Sequence, residues 1–265
     1  MPLSSLLATY DHVLLDLDGC VWVGQTPTPK AQEALAELRN HGRTLAFVTN
    51  DSRLAPEEYV RKLWSMGLQA SLEEIVTVGS AIQYVLAGRR QGTPTFVIGS
   101  PAIFRHVADA GQRIVNGTDR AASAEIVVVA SHDQFDFAEL RTATQAVLGG
   151  AEMIAAGRDR TFPMDDGHWP ATGSILAALE YATDRTAHSV GKPDVMLFET
   201  ALDRLGPGRA LMVGDRLDAD LGGAAAAGLD GAIVLTGVTT RIQAEAAENP
   251  APVAVAESLY TLVTR

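Results

Sequence analysis

Short apolar runs alternate with amphipathic segments along nearly the whole chain. Runs such as Val13–Leu15 and Leu211–Val213 are uniformly apolar, which is typical of strands covered on both faces. Between them, apolar residues recur every three or four positions, as Ala31, Leu35 and Leu38 do, and this spacing predicts helices. The alternation predicts an α/β fold with a mostly parallel sheet and helices on both faces.

The predicted elements extend from end to end of the chain, and turn residues separate them. One predicted helix opens with Pro56-Glu57-Glu58 and stops at Gly67, as helix capping preferences favour. The predicted strands are 12–17, 44–49, 75–78, 95–99, 125–130, 152–156, 209–215 and 231–235, plus one near the C-terminus. The predicted helices are 29–40, 56–66, 80–87, 101–110, 137–148, 174–183, 195–205 and 221–227, plus a last one at the end.

Composition narrows the range of partners. The 265 residues carry a formal net charge of −11, which argues against nucleic acid or an anionic membrane as the main partner. It does not argue against a phosphorylated metabolite, because a bound metal ion can reverse the local field. Cys20 is the single cysteine, and the N-terminus lacks a signal-peptide pattern, so we expect a cytoplasmic protein without disulfides. No apolar run reaches the ~20 residues that cross a bilayer.

Polar side chains lie at the carboxyl ends of several predicted strands or just before a predicted helix. In open parallel sheets, ligands bind beyond the carboxyl ends of the strands, so these residues are expected to share one site. They are Asp16, Asp18, Thr49, Lys192, Asp215 and Asp220.

This set of side chains suits phosphoryl transfer. Clustered carboxylates raise one another's pKa unless a cation holds them, and oxygen ligands without nearby His or Cys favour Mg²⁺. One carboxylate can attack phosphorus, a second can move the proton, and a lysine and a hydroxyl can stabilise the phosphoryl oxygens. Each signal alone also fits an ordinary role: Asp-X-Asp-Gly as a turn, Thr49 as a helix cap, Lys192 as a solvated lysine. Their joint occurrence, each at a strand end or helix start, favours the catalytic interpretation.

Four stretches carry a resemblance to a known family: DLDGCVW, FVTNDS, VGKPD and VGDRLDADLGGAAAAG. They resemble the four motifs of the haloacid dehalogenase superfamily, in its branch of 4-nitrophenylphosphatase-like and phosphoglycolate phosphatase-like enzymes. The resemblance covers nearly the whole chain and implies a Mg²⁺-dependent phosphatase of small phosphate monoesters that works through an aspartyl-phosphate.

The resemblance also implies roles for individual residues. Asp16 would be the nucleophile and Asp18 the general acid and base, while Thr49 and Lys192 would hold phosphoryl oxygens. The metal site would comprise Asp16, the Asp18 backbone carbonyl and Asp215, with Asp220 orienting the metal's water shell. Because dehalogenases of the superfamily lack an acid at the position of Asp18, an oxygen leaving group is expected here.

An inserted α/β cap is the second implication. The branch carries this cap between its second and third motifs, which predicts a Rossmann-like doubly wound core of residues 1–80 and 173–265 and a cap of residues 81–172. The cap would select the substrate and can provide a homodimer surface. The candidates for binding phosphate or the leaving group are Asn50, Asp51, Arg158, Asp159, Arg160 and Phe162.

Three departures from the branch's usual pattern bear on substrate choice. Asp51 stands where relatives often have a second Asn, Gly157-Arg158 precedes Asp159 in place of Thr-Asn, and Pro170-Ala171-Thr172-Gly173 replaces Pro-Gly-X-Gly. The alternatives to a phosphatase are a phosphotransferase or mutase of the same superfamily, a non-enzymatic phospho-aspartate switch and a structural metal-binding protein.

Overall fold

The computed structural model describes residues 3–164 and 166–265 and separates them into two units. The first unit comprises the chain up to Thr49, Pro56–Val76 and Lys192–Arg265. The second comprises Asn50–Ala55 and Thr77–Gly191. Within the described ranges, no helix has both the length and the apolar character that spanning a membrane requires.

The elements follow the predicted alternation of strands and helices. In chain order the strands are β1 (His12–Asp16), β2 (Trp22–Val23), β3 (Thr26–Pro27), β4 (Thr44–Thr49), β5 (Ile75–Thr77), β6 (Pro94–Ile98), β7 (Arg113–Ile114), β8 (Ile126–Val129), β9 (Glu152–Ala155), β10 (Thr161–Met164), β11 (Gly167–Pro170), β12 (His188–Ser189), β13 (Ala210–Gly214), β14 (Asp230–Val234) and β15 (Ala254–Ala256). The helices are α1 (Ala31–Asn40), α2 (Pro56–Ser65), α3 (Val78–Ala87), α4 (Pro101–Asp109), α5 (Phe137–Leu148), α6 (Thr172–Thr183), α7 (Met196–Leu205), α8 (Gly223–Ala226), α9 (Arg241–Glu245) and α10 (Leu259–Thr264).

The first unit is built on a sheet with the strand order β15-β14-β13-β1-β4-β5. β1 lies at its centre, parallel to β13 on one side and β4 on the other, with Leu15 opposite Val213 and Asp16 opposite Val48. Every residue of β1 and β13 is buried, which explains the apolar runs Val13–Leu15 and Leu211–Val213 within them. This register brings the carboxyl ends of β1, β4 and β13 to the same edge of the sheet.

The second unit has its own parallel sheet, with the order β12-β9-β8-β6-β7. Its core includes Ile98, Val127 and Met153 from the strands and Leu176 and Leu179 from α6. An antiparallel hairpin, β10–β11, joins the sheet to α6. Asp165, part of the predicted cap of residues 81–172, lies outside the described residues.

The two units differ in extent from the predicted core and cap. We predicted a core of residues 1–80 and 173–265, but the second unit includes Asn50–Ala55, begins again at Thr77 and, with α6, extends to Gly191. We also predicted an α-helix over 221–227, whereas a π-helix over Leu217–Gly222 precedes the short α8. The π geometry arises because the amides of Asp220 and Leu221 share the carbonyl of Arg216, each at 3.1 Å.

Candidate active site

The first unit gathers the predicted acids at one edge of its sheet. Asp16 is the last residue of β1, Thr49 the last of β4, and Asp215 follows β13 directly. Since the three strands are parallel neighbours, their carboxyl ends place these residues together. Asp16, Thr49 and Asp215 are all buried, so these polar groups are largely shielded from solvent.

Lys192 connects two of the acids. Its Nζ donates hydrogen bonds to Oδ1 of Asp16 and, at 2.7 Å, to Oδ1 of Asp220. A longer contact of 3.4 Å reaches the carbonyl of Val48, next to Thr49. The lysine side chain is 3% exposed and that of Asp220 is 1% exposed. A buried ammonium between two buried carboxylates fixes the position of all three groups.

The π-helix turns Asp220 back towards the end of β13. Its Oδ2 accepts hydrogen bonds from the backbone amides of Asp215 and Arg216, at 3.1 and 3.0 Å. Gly214 permits this approach, because a Cβ there would lie 2.2 Å from Asp220 Cγ. Asp220 therefore holds both Lys192 and the backbone that carries Asp215.

Asp215 lies in a cradle formed by two glycines. A Cβ on Gly19 would lie 2.5 Å from Asp215 Cγ, and one on Gly237 would lie 1.8 Å from its Oδ2. Oδ2 accepts the Val238 amide at 2.7 Å. Oδ1 is buried without a hydrogen-bond partner among the described residues. A buried carboxylate oxygen without a partner is costly, so this atom is a position where a cation would fit.

Burial controls the pKa values of this cluster. It raises the pKa of Asp16 to about 8; Lys192 opposes the shift, while the charges of Asp220 and Asp215 add to it. Burial likewise raises the pKa of Asp215 to about 6, against the Val238 amide. Burial alone would lower the pKa of Lys192, but the carboxylates of Asp16 and Asp220 more than offset it and raise that pKa. Raised carboxyl pKa values are expected where acids converge without a metal ion.

The cluster fits a divalent cation. Asp16, Asp215 and Asp220 each offer a carboxylate oxygen, and these atoms lie within 4.8 Å of one another. When all three are ionised, the single charge of Lys192 leaves two negative charges uncompensated. An all-oxygen donor set with this charge suits Mg²⁺. Because both oxygens of Asp220 already accept hydrogen bonds, Asp16 and Asp215 are the better placed ligands.

Asp18 differs from these acids because it is exposed. It follows β1 by two residues, and its Oδ1 accepts a 2.7 Å hydrogen bond from the indole Nε1 of Trp22. The exposed carboxyl group of Asp18 can exchange protons with solvent or a substrate, whereas Asp16 is buried. The roles assigned to the two acids stay predictions.

The remaining predicted residues lie in the second unit. Asn50 Nδ2 donates to Asp159 Oδ2 at 3.0 Å. Arg158 is exposed, but its guanidinium pairs with Glu180 at 2.8 Å and also donates to the Ala187 carbonyl. Arg160 is exposed as well. The structure thus brings Asn50 and Asp159 together and engages Arg158 in an ion pair within its own unit.

Asp51 and Phe162 meet through a residue that the sequence prediction missed. Arg53 Nε lies 2.8 Å from Asp51 Oδ1 and its Nη2 lies 2.9 Å from Oδ2, a two-point ion pair. The same guanidinium stacks over the Phe162 ring at 4.1 Å from its centroid. Asp51, which stands where relatives often have Asn, is therefore neutralised by the guanidinium of Arg53. The sequence signal that could have predicted this ion pair was the opposite charges of Asp51 and Arg53, two positions apart.

Comparisons with known proteins found matches over most of the chain. A family model described as haloacid dehalogenase-like hydrolase matches residues 13–113, and one described as HAD-hydrolase-like matches residues 189–262. A D-glycerol 3-phosphate phosphatase of Mycobacterium tuberculosis is 36% identical over 247 residues, which cover 93% of this chain and 69% of the relative.

Two solved structures show the same fold over almost the whole chain. The crystal structure of a glycerol phosphate phosphatase from Mycobacterium tuberculosis in complex with magnesium has a TM-score of 0.91 at 34% identity, covering 99% of this chain and 79% of the other. A p-nitrophenyl phosphatase from Archaeoglobus fulgidus has a TM-score of 0.87 at 31% identity, with coverages of 96% and 98%. The chain therefore belongs to the haloacid dehalogenase-like hydrolases, as its four motifs predicted.

Proposed function

We propose that this protein is a Mg²⁺-dependent phosphatase that hydrolyses small phosphate monoesters through an aspartyl-phosphate on Asp16. The observation that carries the proposal is the convergence of Asp16, Asp215 and Asp220 within 4.8 Å, with Lys192 bonded to Asp16 and Asp220. The relatives named above are phosphatases of glycerol phosphate and of p-nitrophenyl phosphate, which supports the same reaction class.

The reaction would proceed in two steps on this chain's own residues. First, Asp16 forms a bond to phosphorus while the ester oxygen departs, and Asp18 gives that oxygen a proton. Second, Asp18 takes a proton from water, whose oxygen bonds to phosphorus and releases Asp16. Asp16 and Asp215, with the Asp18 carbonyl, would hold Mg²⁺, which neutralises phosphoryl charge when bound. Lys192 and Thr49 would hold the phosphoryl oxygens, and the charge of Lys192 favours the ionised form of Asp16 against the effect of burial on its pKa.

The second unit bears on the choice among small phosphate monoesters. We assign this unit the role of the family's substrate-selecting cap, with Asn50, Asp51, Asp159 and Phe162 as its candidate substrate contacts. Arg158 is the weaker candidate, since Glu180 already occupies its guanidinium. Glycerol 3-phosphate, phosphoglycolate, sugar phosphates and nucleotide monophosphates form the panel to test. Cytoplasmic location and a homodimer formed through the cap remain predictions.

The test is a phosphate-release assay over that panel, with p-nitrophenyl phosphate as a generic substrate. Wild type with Mg²⁺ should release phosphate, and Asp16→Asn should abolish release for every substrate. Near-normal turnover by Asp16→Asn would contradict the assignment. In ¹⁸O-labelled water the label should enter phosphate; a phosphorylated acceptor in place of released phosphate would instead indicate a phosphotransferase or mutase.

A further inference from the structure

The general acid of the proposed reaction is held by a side chain with no assigned role. Trp22 belongs to the β2–β3 hairpin and its side chain is fully buried. A buried indole N–H normally finds an acceptor, often a backbone carbonyl. Here the acceptor is the carboxylate of Asp18, at 2.7 Å. A buried donor thus holds an exposed acid, and the acid is the one that must meet the leaving group.

The indole itself cannot move easily. Its ring stacks on that of Tyr59 with a centroid distance of 6.4 Å and an interplanar angle of 5°. The ammonium of Lys62 lies 4.2 Å from the Trp22 ring centroid. Tyr59 and Lys62 are three residues apart on α2, so one face of this helix supports the ring. Helix α2 thus supports the indole, and the indole in turn holds Asp18.

The backbone between Asp18 and Trp22 is fixed as well. The amide of Trp22 donates to the Leu17 carbonyl at 3.1 Å, and that of Gly19 donates to the Trp22 carbonyl at 2.7 Å. Gly19 has φ of +89°, a conformation that favours glycine. The turn therefore sets the distance between the two side chains, and the hydrogen bond selects one orientation of the carboxylate.

We propose that Trp22 is a positioning residue for proton transfer by Asp18. Its N–H holds Oδ1 of Asp18 so that the carboxyl group is oriented towards the departing oxygen before the ester bond breaks. A general acid must lie within hydrogen-bond reach of the atom it protonates, and small misplacement is costly. This inference rests on the proposed phosphatase function and on the role of Asp18 in it.

The inference predicts a dependence on the leaving group. An alkoxide such as that of glycerol 3-phosphate must be protonated as it leaves, whereas a nitrophenolate leaves readily without a proton. Loss of the Trp22 N–H should therefore lower kcat/KM, which reports formation of the aspartyl-phosphate, by about 10- to 100-fold for glycerol 3-phosphate. For p-nitrophenyl phosphate the loss should stay below about 3-fold.

The experiment compares kcat/KM of Trp22→Phe with wild type over a series of aryl phosphates with progressively less acidic phenols, extended to an alkyl phosphate. Phenylalanine keeps a ring for Tyr59 and Lys62 but removes the N–H. If Trp22→Phe fails to fold, as judged by its thermal melt, replacement of Trp22 by 3-benzothienylalanine keeps the bicyclic shape and replaces N–H with sulfur. Lys62→Met is the matched control, because it removes the cation over the ring and leaves the N–H.

The outcomes distinguish failure of this inference from failure of the proposed phosphatase function. Losses that grow as the leaving group becomes less acidic, absent in Lys62→Met, support it. Equal losses across the series, or no loss, in a folded variant overturn it while the phosphatase assignment stands. If wild type hydrolyses no member of the series, or Asp16→Asn retains turnover, the proposed function fails and the inference fails with it.

Discussion

Lys192 and Asp220 form an ion pair that is almost completely enclosed, with 2.7 Å between Nζ and Oδ1 and side-chain exposures of 3% and 1%. Removing one partner of such a pair leaves an uncompensated charge in a poorly solvated place, which costs about 3–5 kcal/mol. The same lysine also contacts Asp16, so its loss affects stability and the candidate nucleophile together.

We expect Lys192→Met to abolish turnover and to lower the free energy of unfolding by about 3–5 kcal/mol without metal. Mg²⁺ should recover part of the stability, because it supplies positive charge to the same acids, but should not restore activity. Urea unfolding with and without Mg²⁺, beside a phosphate-release assay, measures both effects. A variant as stable as wild type without Mg²⁺ would show that the pair contributes no net stability.

Gly237 sets the space for Asp215. A Cβ there would lie 1.8 Å from Oδ2, so Gly237→Ala should displace the carboxylate and weaken Mg²⁺ binding by about 10- to 100-fold. Gly222→Ala is a suitable control in the same unit, because its Cβ would meet nothing closer than 3.4 Å. Isothermal titration calorimetry measures the Mg²⁺ affinity of both variants. Equal affinities would contradict the role assigned to Gly237 in making room for Asp215.

The sequence predicted the sheet and the acid cluster for a physical reason. Strands buried on both faces are mostly apolar, so polar residues at their carboxyl ends or directly after them, such as Asp16 and Asp215, are conspicuous. Parallel pairing then brings these ends together without further information. The family was predictable from the same motifs.

Other parts of the structure depended on packing that a sequence pattern does not specify. The apolar side of α6 is compatible with either unit, and only its contacts with the second sheet place the return of the chain at Lys192. Trp22 looks like any core aromatic until the turn geometry brings its N–H to Asp18. The π-helix depends on how Asp220 caps the amides after β13, a three-dimensional relationship.

Stabilisation by Mg²⁺ should increase with pH. Burial raises the pKa of Asp215 to about 6 and of Asp16 to about 8 in the metal-free protein, so protons occupy the two acids at low pH. A raised carboxyl pKa favours the folded state while the acid is protonated, and that stability is lost as pH rises through the folded-state value. Mg²⁺ binds the ionised carboxylates and so restores the stability of the folded state.

The expected result is a small Mg²⁺-induced rise in Tm near pH 5 and a larger one near pH 9, with most of the change between about 6 and 8. Thermal melts of wild type across this range, with and without Mg²⁺, measure it. Asp215→Asn, which cannot ionise, should lose most of the Mg²⁺ effect at every pH. A rise in Tm that is independent of pH would contradict competition between protons and the metal.

Selectivity for the leaving group should respond to the pairing of Asp51 with Arg53. Asp51 holds the guanidinium by two contacts, so its positive charge is largely compensated. Under the proposed function, Asp51→Asn should release that charge, and kcat/KM for phosphoglycolate, whose leaving group carries a carboxylate, should rise about 2- to 5-fold relative to glycerol 3-phosphate, whose leaving group is uncharged. Adding Arg53→Ala should cancel the change.

The matched control for this prediction is Glu125→Gln. It removes one negative charge, that of the carboxylate paired with Arg90 in the second unit. It should leave the ratio of kcat/KM for phosphoglycolate to that for glycerol 3-phosphate unchanged. If both single variants shift the ratio equally, overall charge rather than the Asp51–Arg53 pair determines the preference. If Asp51→Asn alone shifts it, and only while Arg53 is present, the acid in the second motif acts by restraining an arginine, and the departure from the usual Asn tunes the enzyme towards uncharged alcohols.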